Sequence, residues 1–236
     1  MIDRSTVQAL ESVSTATLSA QLRNRGIENA FLEHLTVGQP GKRMVGEART
    51  LRYTALREDV FAVRGGGMNE QKRVVDTIRP GEVLVIEARG DLGAGTIGDI
   101  LALRLMRRGG VGVVTDGGAR DTPALRELGL PLYFGAPHAA VLGRRHVPMD
   151  SDLPITCGGV LVMPGDVLCG DAEGVVVLPA AIAADVARAA VVQEREERYI
   201  TEQVAKGESL DGLYPMGEAH RKQFELWSED GADEVS

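Results

Sequence analysis

Between Asn69 and Ala136 the hydrophobic period of the chain switches back and forth, and no other feature limits its fold as sharply. "NEQKRVVDTIRPG" (69–81) carries apolar residues at helical spacing and is stopped by Pro80-Gly81. "EVLVIEA" (82–88) is a short continuous apolar run, the mark of a strand covered on both faces. "IGDILALRLMRRGG" (97–110) returns to helical spacing and "VGVVTD" (111–116) is a second buried strand. "TPALRELGL" (122–130) is a short helix and "PLYFGA" (131–136) a third strand. Strands alternating with helices in this way imply an α/β protein.

The flanks extend that order. "STVQALESVSTATLSAQLRNRG" (5–26) has Ser/Thr caps and reads as two short helices ending at Gly26, and "GEARTLRYTAL" (46–56) alternates as a strand does. Residues 155–178 hold short β runs punctuated by Pro164-Gly165-Asp166 and Gly170-Asp171. One long helix is expected from about 180 to 206, apolar first and then charged. The tail, 207–236, is polar and acidic, with Tyr214, Phe224 and Trp227 as isolated anchors. No composition break or fixed repeat divides the chain, so residues 1–236 read as one domain.

Composition works by exclusion. A net charge of −8 and the lack of any basic run argue against nucleic acid held by bulk electrostatics. Aromatic residues are only 4%, so the core must be built from Ala, Val, Leu and Ile. Two cysteines, Cys157 and Cys169, are too few for a disulfide framework and read as buried small hydrophobes. The first residues carry early charges and no apolar h-region, and no run of apolar residues is long enough to span a membrane. A cytoplasmic protein without membrane or nucleic-acid partners is expected.

The densest chemistry follows the second buried strand. Val113-Val114-Thr115 leads into Asp116, then Gly117-Gly118, then Arg120 and Asp121 side by side. The glycine pair reads as a turn. A cation and an anion beyond it are either a surface ion pair, worth under ~1 kcal/mol, or a site that grips a carboxylate with Arg120 and a metal with Asp121. Upstream, "GAGTIG" (93–98) matches the dinucleotide fingerprint G-x-G-x-x-G. The charged insert "RGDL" (89–92) separates it from the preceding strand, which displaces the loop from a cofactor. The helix start at Gly98 can still attract an anion. Gly65-Gly66-Gly67 reads as a loop that can border a pocket. His138 and His146 lie near Arg144 and Arg145 with no third ligand, which suits a surface or loop role. None of Lys42, Lys72, Lys206 and Lys222 sits in an apolar strand that would prepare it for Schiff-base chemistry, so a carbon–carbon lyase here would be metal-dependent.

"GDIL" (98–101), "GGVGVVTDGGARD" (109–121) and "PGDVLCGDAEGVVVLP" (164–179) together resemble the RraA-like family, named for regulator of ribonuclease activity A. That family includes the 4-hydroxy-4-methyl-2-oxoglutarate and 4-carboxy-4-hydroxy-2-oxoadipate aldolases. The resemblance covers about residues 10–206. It implies an α/β/α swivelling-domain fold with a central β-barrel, assembled as a homotrimer or homohexamer, and a Mg²⁺ or Mn²⁺ cofactor.

Residue by residue, it implies that Asp121 binds the divalent ion, a hard ligand for a hard cation. It implies that Arg120 holds a 2-oxo acid and stabilises its enolate. Asp99 matches an acid that holds water beside the ion. Gly98, Ile100 and Leu101 match the helix start whose backbone N–H groups receive the substrate carboxylate. A glutamate of "QEREER", Glu194, Glu196 or Glu197, would come from a neighbouring subunit, and Glu196 fits the offset best. The chain departs from the aldolases at Ala124, where they carry an acid; Glu127 lies further along. It departs again at Ser19-Ala20-Gln21-Leu22, where many relatives read Ser-Asp-Ala-Leu. The expected function is a metal-dependent lyase that cleaves or decarboxylates a small 2-oxo dicarboxylic acid and releases pyruvate. A protein-binding regulator of ribonuclease activity is the alternative, and a nucleotide-cofactor enzyme a weaker one.

Overall fold

The computed structural model describes residues 2–229. Two short helices come first, α1 (Arg4–Glu11) and α2 (Thr15–Arg23). The side chains of Asp3 and Ser14 cap them by accepting the N–H groups of Thr6 and Thr17. Then follow β1 (Thr36–Val37), β2 (Met44–Ala55), α3 (Glu58–Arg64) and α4 (Glu70–Thr77). The α/β core is β3 (Glu82–Glu87), β4 (Gly95–Ile97), α5 (Asp99–Arg107), β5 (Gly112–Ala119), α6 (Thr122–Glu127) and β6 (Leu132–Pro137). The remainder is β7 (His146–Ser151), β8 (Ile155–Cys157), β9 (Val160–Val162), β10 (Val167–Gly170), β11 (Val175–Leu178), α7 (Ala183–Ala205) and α8 (Glu218–Glu229).

Nine of the strands form one sheet in the order β1-β6-β5-β3-β2-β10-β11, with β4 added to β5 and β7 to β2. β2, β3, β5 and β6 run parallel, as their crossover helices require. β2 makes the sheet curl. One edge pairs with β3, while the other takes β10 along its first half and β7 along its second, with a register shift between Arg52 and Tyr53. The result is a half-barrel, in keeping with the central barrel that the motifs imply.

Three apolar clusters hold it together. Leu84, Ile86, Val113 and Phe134 pack on one side of the sheet with Val74, Val75, Leu105 and Leu125 of the helices. Val83, Val85, Val114 and Leu168 fill the inside of the curl, closed by Ile155, Cys157, Val160 and Val162 of the β8–β9 hairpin. Leu10, Leu18 and Leu22 meet Val186, Ala187 and Ala190 of α7 over β10 and β11. Cys157 and Cys169 are both buried, and burial pushes both thiols up.

Several details differ from the sequence expectation. Gly117-Gly118 is not a turn: β5 continues through both glycines to Ala119, with a register shift against β6. β4 approaches too closely for side chains there, since a Cβ on Gly118 would stand 2.6 Å from Ala94 O. His146 is not at the surface but begins β7, fully buried, with its ring tilted against Tyr53. α3 was not expected, because it buries no residue and so has no apolar stripe to betray it. β7 carries Pro148, which obscures a strand. The tail is not all irregular. α8 docks on α7 through Phe224 and Trp227, which stack on each other and meet Tyr199 edge-on. Tyr214 is exposed instead. Residues 230–236 of the expected tail lie outside the described residues. Among the described residues no helix is long and apolar enough to cross a membrane.

Candidate active site

Three adjacent parallel strands, β4, β5 and β6, end side by side, and the residue after each faces the same edge of the sheet. Gly98 follows β4, Arg120 follows β5 and His138 follows β6. Backbone bonds lock the row: Arg120 N–H donates to Ile97 O at 2.8 Å, and His138 N–H donates to Ala119 O at 2.8 Å. In α/β sheets ligands bind beyond the carboxyl ends of the strands.

Two glycines make room for the pair. The Arg120 side chain crosses Gly95, where a Cβ would stand 2.1 Å from Arg120 Cγ. The Asp121 carboxylate lies over Gly98, where a Cβ would stand 2.9 Å from Oδ2. Asp121 itself is left-handed (φ 55°, ψ 36°), a conformation that Asp tolerates better than most residues. It turns the chain from β5 into α6.

Arg120 and Asp121 are not a surface ion pair. Among the described residues neither charged group has an ion-pair partner within 4.0 Å, and the Arg120 Nε is buried with no hydrogen-bond partner. Arg49 and Arg104, by contrast, are matched, with Asp152 at 2.7 Å and with Asp76 at 2.6 Å. An unpaired guanidinium beside an exposed, unpaired carboxylate suits a ligand that supplies both missing charges. A cavity of about 370 Å³ opens here, lined by Arg120, Asp121, Thr122, Pro137 and His138 among others.

The other sequence candidates are placed unevenly. Gly98 caps α5 with extended backbone and no side-chain bond, so the helix start is open. Asp99 Oδ1 accepts the Ile100 N–H at 2.8 Å, so that N–H already has a partner, and the Ile100 side chain is exposed. Leu101 shares this first turn and packs its side chain against the core. Glu194 serves the fold: it accepts Ser14 N–H (2.9 Å) and the Thr17 hydroxyl (2.8 Å) at the start of α2. Glu197 accepts from Gln193, and Glu196 pairs with Arg221 at 3.5 Å. Glu196 lines a different cavity, between α2, α7 and the C-terminal segment, so a single subunit does not bring it to Arg120. Ala124 and Glu127 both lie in α6, and Glu127 is exposed. Gly66 lines a separate cavity with Arg64, Met68 and Glu70, not the Arg120 cavity.

The "GAGTIG" stretch is not a cofactor loop. Gly95–Ile97 is strand β4, so its glycines serve the close packing of β4 on β5 and the clearance under Arg120. "RGDL" is a turn held by Asp116, whose carboxylate accepts Ala88 N–H and, at 3.0 Å, Gly90 N–H. Burial nonetheless pushes the Asp116 carboxyl up, and Glu87 beside it is raised by burial and by the Asp116 charge.

His138 is the member of the row that sequence reasoning set aside. The usable signal was positional: it stands directly after the third buried strand, as Arg120 stands directly after the second.

A family model described as RraA-like, Aldolase/RraA, matches residues 15–177. A protein of Halalkalibacterium halodurans, provisionally named a 4-hydroxy-4-methyl-2-oxoglutarate aldolase, is 32% identical over 137 residues, 58% of this chain and 60% of that protein. Protein DlpA of Legionella pneumophila is 24% identical over 205 residues, 87% of this chain but 32% of that protein. The chain thus spans 60% and 32% of the length of these two relatives. Among solved structures, Streptomyces coelicolor RraAS2, described as an unusual member of the RNase ES inhibitor RraA protein family, superposes with a TM-score of 0.79 at 34% identity. The match covers 86% of this chain and 100% of that one.

Proposed function

The chain belongs to the RraA-like Aldolase/RraA family, and from that premise we propose that it is a metal-dependent lyase acting on a small 2-oxo dicarboxylic acid. The observation that carries this reading is the adjacent Arg120 and Asp121 beyond β5, neither neutralised within the fold. The relatives named as aldolases support the reaction class.

The residues present fit a divalent ion of the Mg²⁺ or Mn²⁺ kind. Asp121 offers an exposed carboxylate with no cation of the described residues within 4.0 Å. The described residues hold no cluster of three or more His, Cys, Asp or Glu able to enclose a metal, which argues against a zinc-like cage. Mg²⁺ commonly takes one or two carboxylates and completes its shell with water and substrate oxygens. Held at Asp121, such an ion would supply Lewis-acid polarisation of the 2-oxo group and would neutralise developing negative charge.

The chain's own groups do the rest. Arg120 presents a planar fork to the 2-oxo acid and meets the oxygen on which charge grows. At the start of α5 Asp99 takes the Ile100 N–H, which leaves the Leu101 N–H and the helix dipole to favour the substrate carboxylate. In 4-hydroxy-4-methyl-2-oxoglutarate the C3–C4 bond breaks, its electron pair passes to the 2-oxo oxygen as an enolate, and the 4-hydroxyl loses its proton. C3 then takes a proton, leaving two pyruvates. Loss of the distal carboxylate of oxaloacetate as CO₂ gives the same enolate. Among the described residues no lysine lines the cavity, so an imine route has no nucleophile there. In an assembly, Glu196 of a neighbouring subunit would complete the site.

Pyruvate release from 4-hydroxy-4-methyl-2-oxoglutarate and oxaloacetate, with and without Mg²⁺, tests the reading. Activity should vanish with a chelator and return with Mg²⁺ or Mn²⁺. A borohydride-trapped lysine adduct would overturn it. A second reading, a protein-binding regulator of ribonuclease activity, is favoured by the likeness to the Streptomyces coelicolor protein; it moves ahead if no 2-oxo acid is cleaved.

A further inference from the structure

We infer that His138 reads the distal carboxylate of the substrate and so selects 2-oxo dicarboxylic acids over 2-oxo monocarboxylic acids. The inference deepens the lyase reading and rests on it. His138 stands beyond β6, next in the row to Arg120, and lines the same cavity. Its ring is held in one sense. Nδ1 accepts the Ala140 N–H at 3.0 Å, so the ring proton sits on Nε2, which is left as a donor. Among the described residues that is the side chain's one hydrogen bond. Backbone fixes the base of the residue as well: Ala119 O takes its N–H, and Gly118 lies against it closely enough that a Cβ would stand 3.1 Å from His138 Cβ.

The charge inventory gives the donor its task. Among the described residues Arg120 is the only Lys or Arg lining the cavity, and in the lyase reading the 2-oxo end of the substrate occupies it. Thr122 adds a hydroxyl donor, but next to Asp121 at the start of α6, whereas Pro137 and Ala139, on either side of His138, bring no side-chain donor. An extended dicarboxylate gripped at one end by Arg120 needs a donor for its far end, and His138 Nε2–H on the neighbouring strand supplies one. A single donor suits that end, because a second guanidinium would hold equally well the carboxylate meant for Arg120.

The test compares two uncleavable ligands of equal chain length by calorimetry with Mg²⁺ present: 2-oxoglutarate, and 2-oxopentanoate, in which a methyl replaces the distal carboxylate. The parent should bind 2-oxoglutarate more tightly. His138→Ala should weaken 2-oxoglutarate by about tenfold or more, the usual effect of losing a hydrogen bond to a charged group, and leave 2-oxopentanoate unchanged. His138→Gln, whose amide N–H can reach the Nε2 position, should keep most of the preference. The unchanged 2-oxopentanoate affinity also shows that the variant is folded. Equal weakening of both ligands, weakening of neither, or a Gln variant as poor as the Ala variant would overturn the role of His138. Failure of the parent to bind either ligand would instead remove the lyase reading, and this inference with it.

Discussion

Gly98 and Asp121 are so close that a methyl group on the glycine would stand 2.9 Å from the carboxylate oxygen Oδ2. Gly95 stands in the same relation to Arg120, at 2.1 Å from Cγ. These glycines lie on one strand and its exit, the charged pair on the exit of the next, so the site is a fit between neighbours in space that are distant in sequence.

Gly95→Ala should therefore act on Arg120. The clash is with the stem of the side chain, which must swing away, whereas at Gly98 it is with the tip of a short one. Turnover should fall more for Gly95→Ala than for Gly98→Ala, and Gly98→Ala should keep a melting temperature near that of the parent. Full activity in Gly95→Ala would show that the position of Arg120 is irrelevant to the chemistry.

Within the pair the two roles separate. Asp121→Asn keeps the shape and loses the charge that a divalent ion needs, so turnover should be abolished and excess Mg²⁺ should restore little. Arg120→Lys keeps the charge and loses the fork, which typically costs ~3–4 kcal/mol of transition-state stabilisation, or roughly 10²–10³ in rate. Near-parental kinetics in both variants would move the regulator reading ahead.

Glu196 would serve a neighbour's site only after leaving Arg221, 3.5 Å away in its own chain. Glu196→Gln should then lower kcat, while Arg221→Ala should leave it equal or raise it. A monomer by light scattering at micromolar concentration would remove the shared site.

Glu194 gives a pH signature of stability. Burial opposes its charge, but Ser14 N–H, the Thr17 and Ser14 hydroxyls and the Arg43 charge outweigh it, so the carboxyl is held below its ordinary value of 4.5. A depressed carboxylate stabilises the fold above its unfolded pKa and ceases to do so as pH falls through the folded one. Glu194→Ala should cost about 1–2 kcal/mol at pH 7 by urea unfolding, the usual range for a lost helix cap. The gap to the parent should narrow below about pH 4.5. A constant gap down to pH 3 would contradict this.

Local pattern determined much of this protein. The continuous apolar runs of β3, β5 and β6 and the helical spacing of α4 and α5 were legible because strands covered on both faces and one-sided helices leave different periods in a sequence. The adjacency of Arg120 and Asp121 was legible for the same reason: it is a neighbour relation along the chain. α3 and β7 were not, since one buries nothing and the other carries a proline within an edge pairing. Only the tertiary structure decided that Gly117-Gly118 is strand, that Gly95 and Gly98 clear the ground for the charged pair, and that His138 shares its cavity. It also assigned Glu194 to a cap on α2 and Glu196 to Arg221. Each of these depends on which elements lie side by side, and a close approach between strands leaves no period in the sequence, only a glycine whose reason lies on the strand beside it.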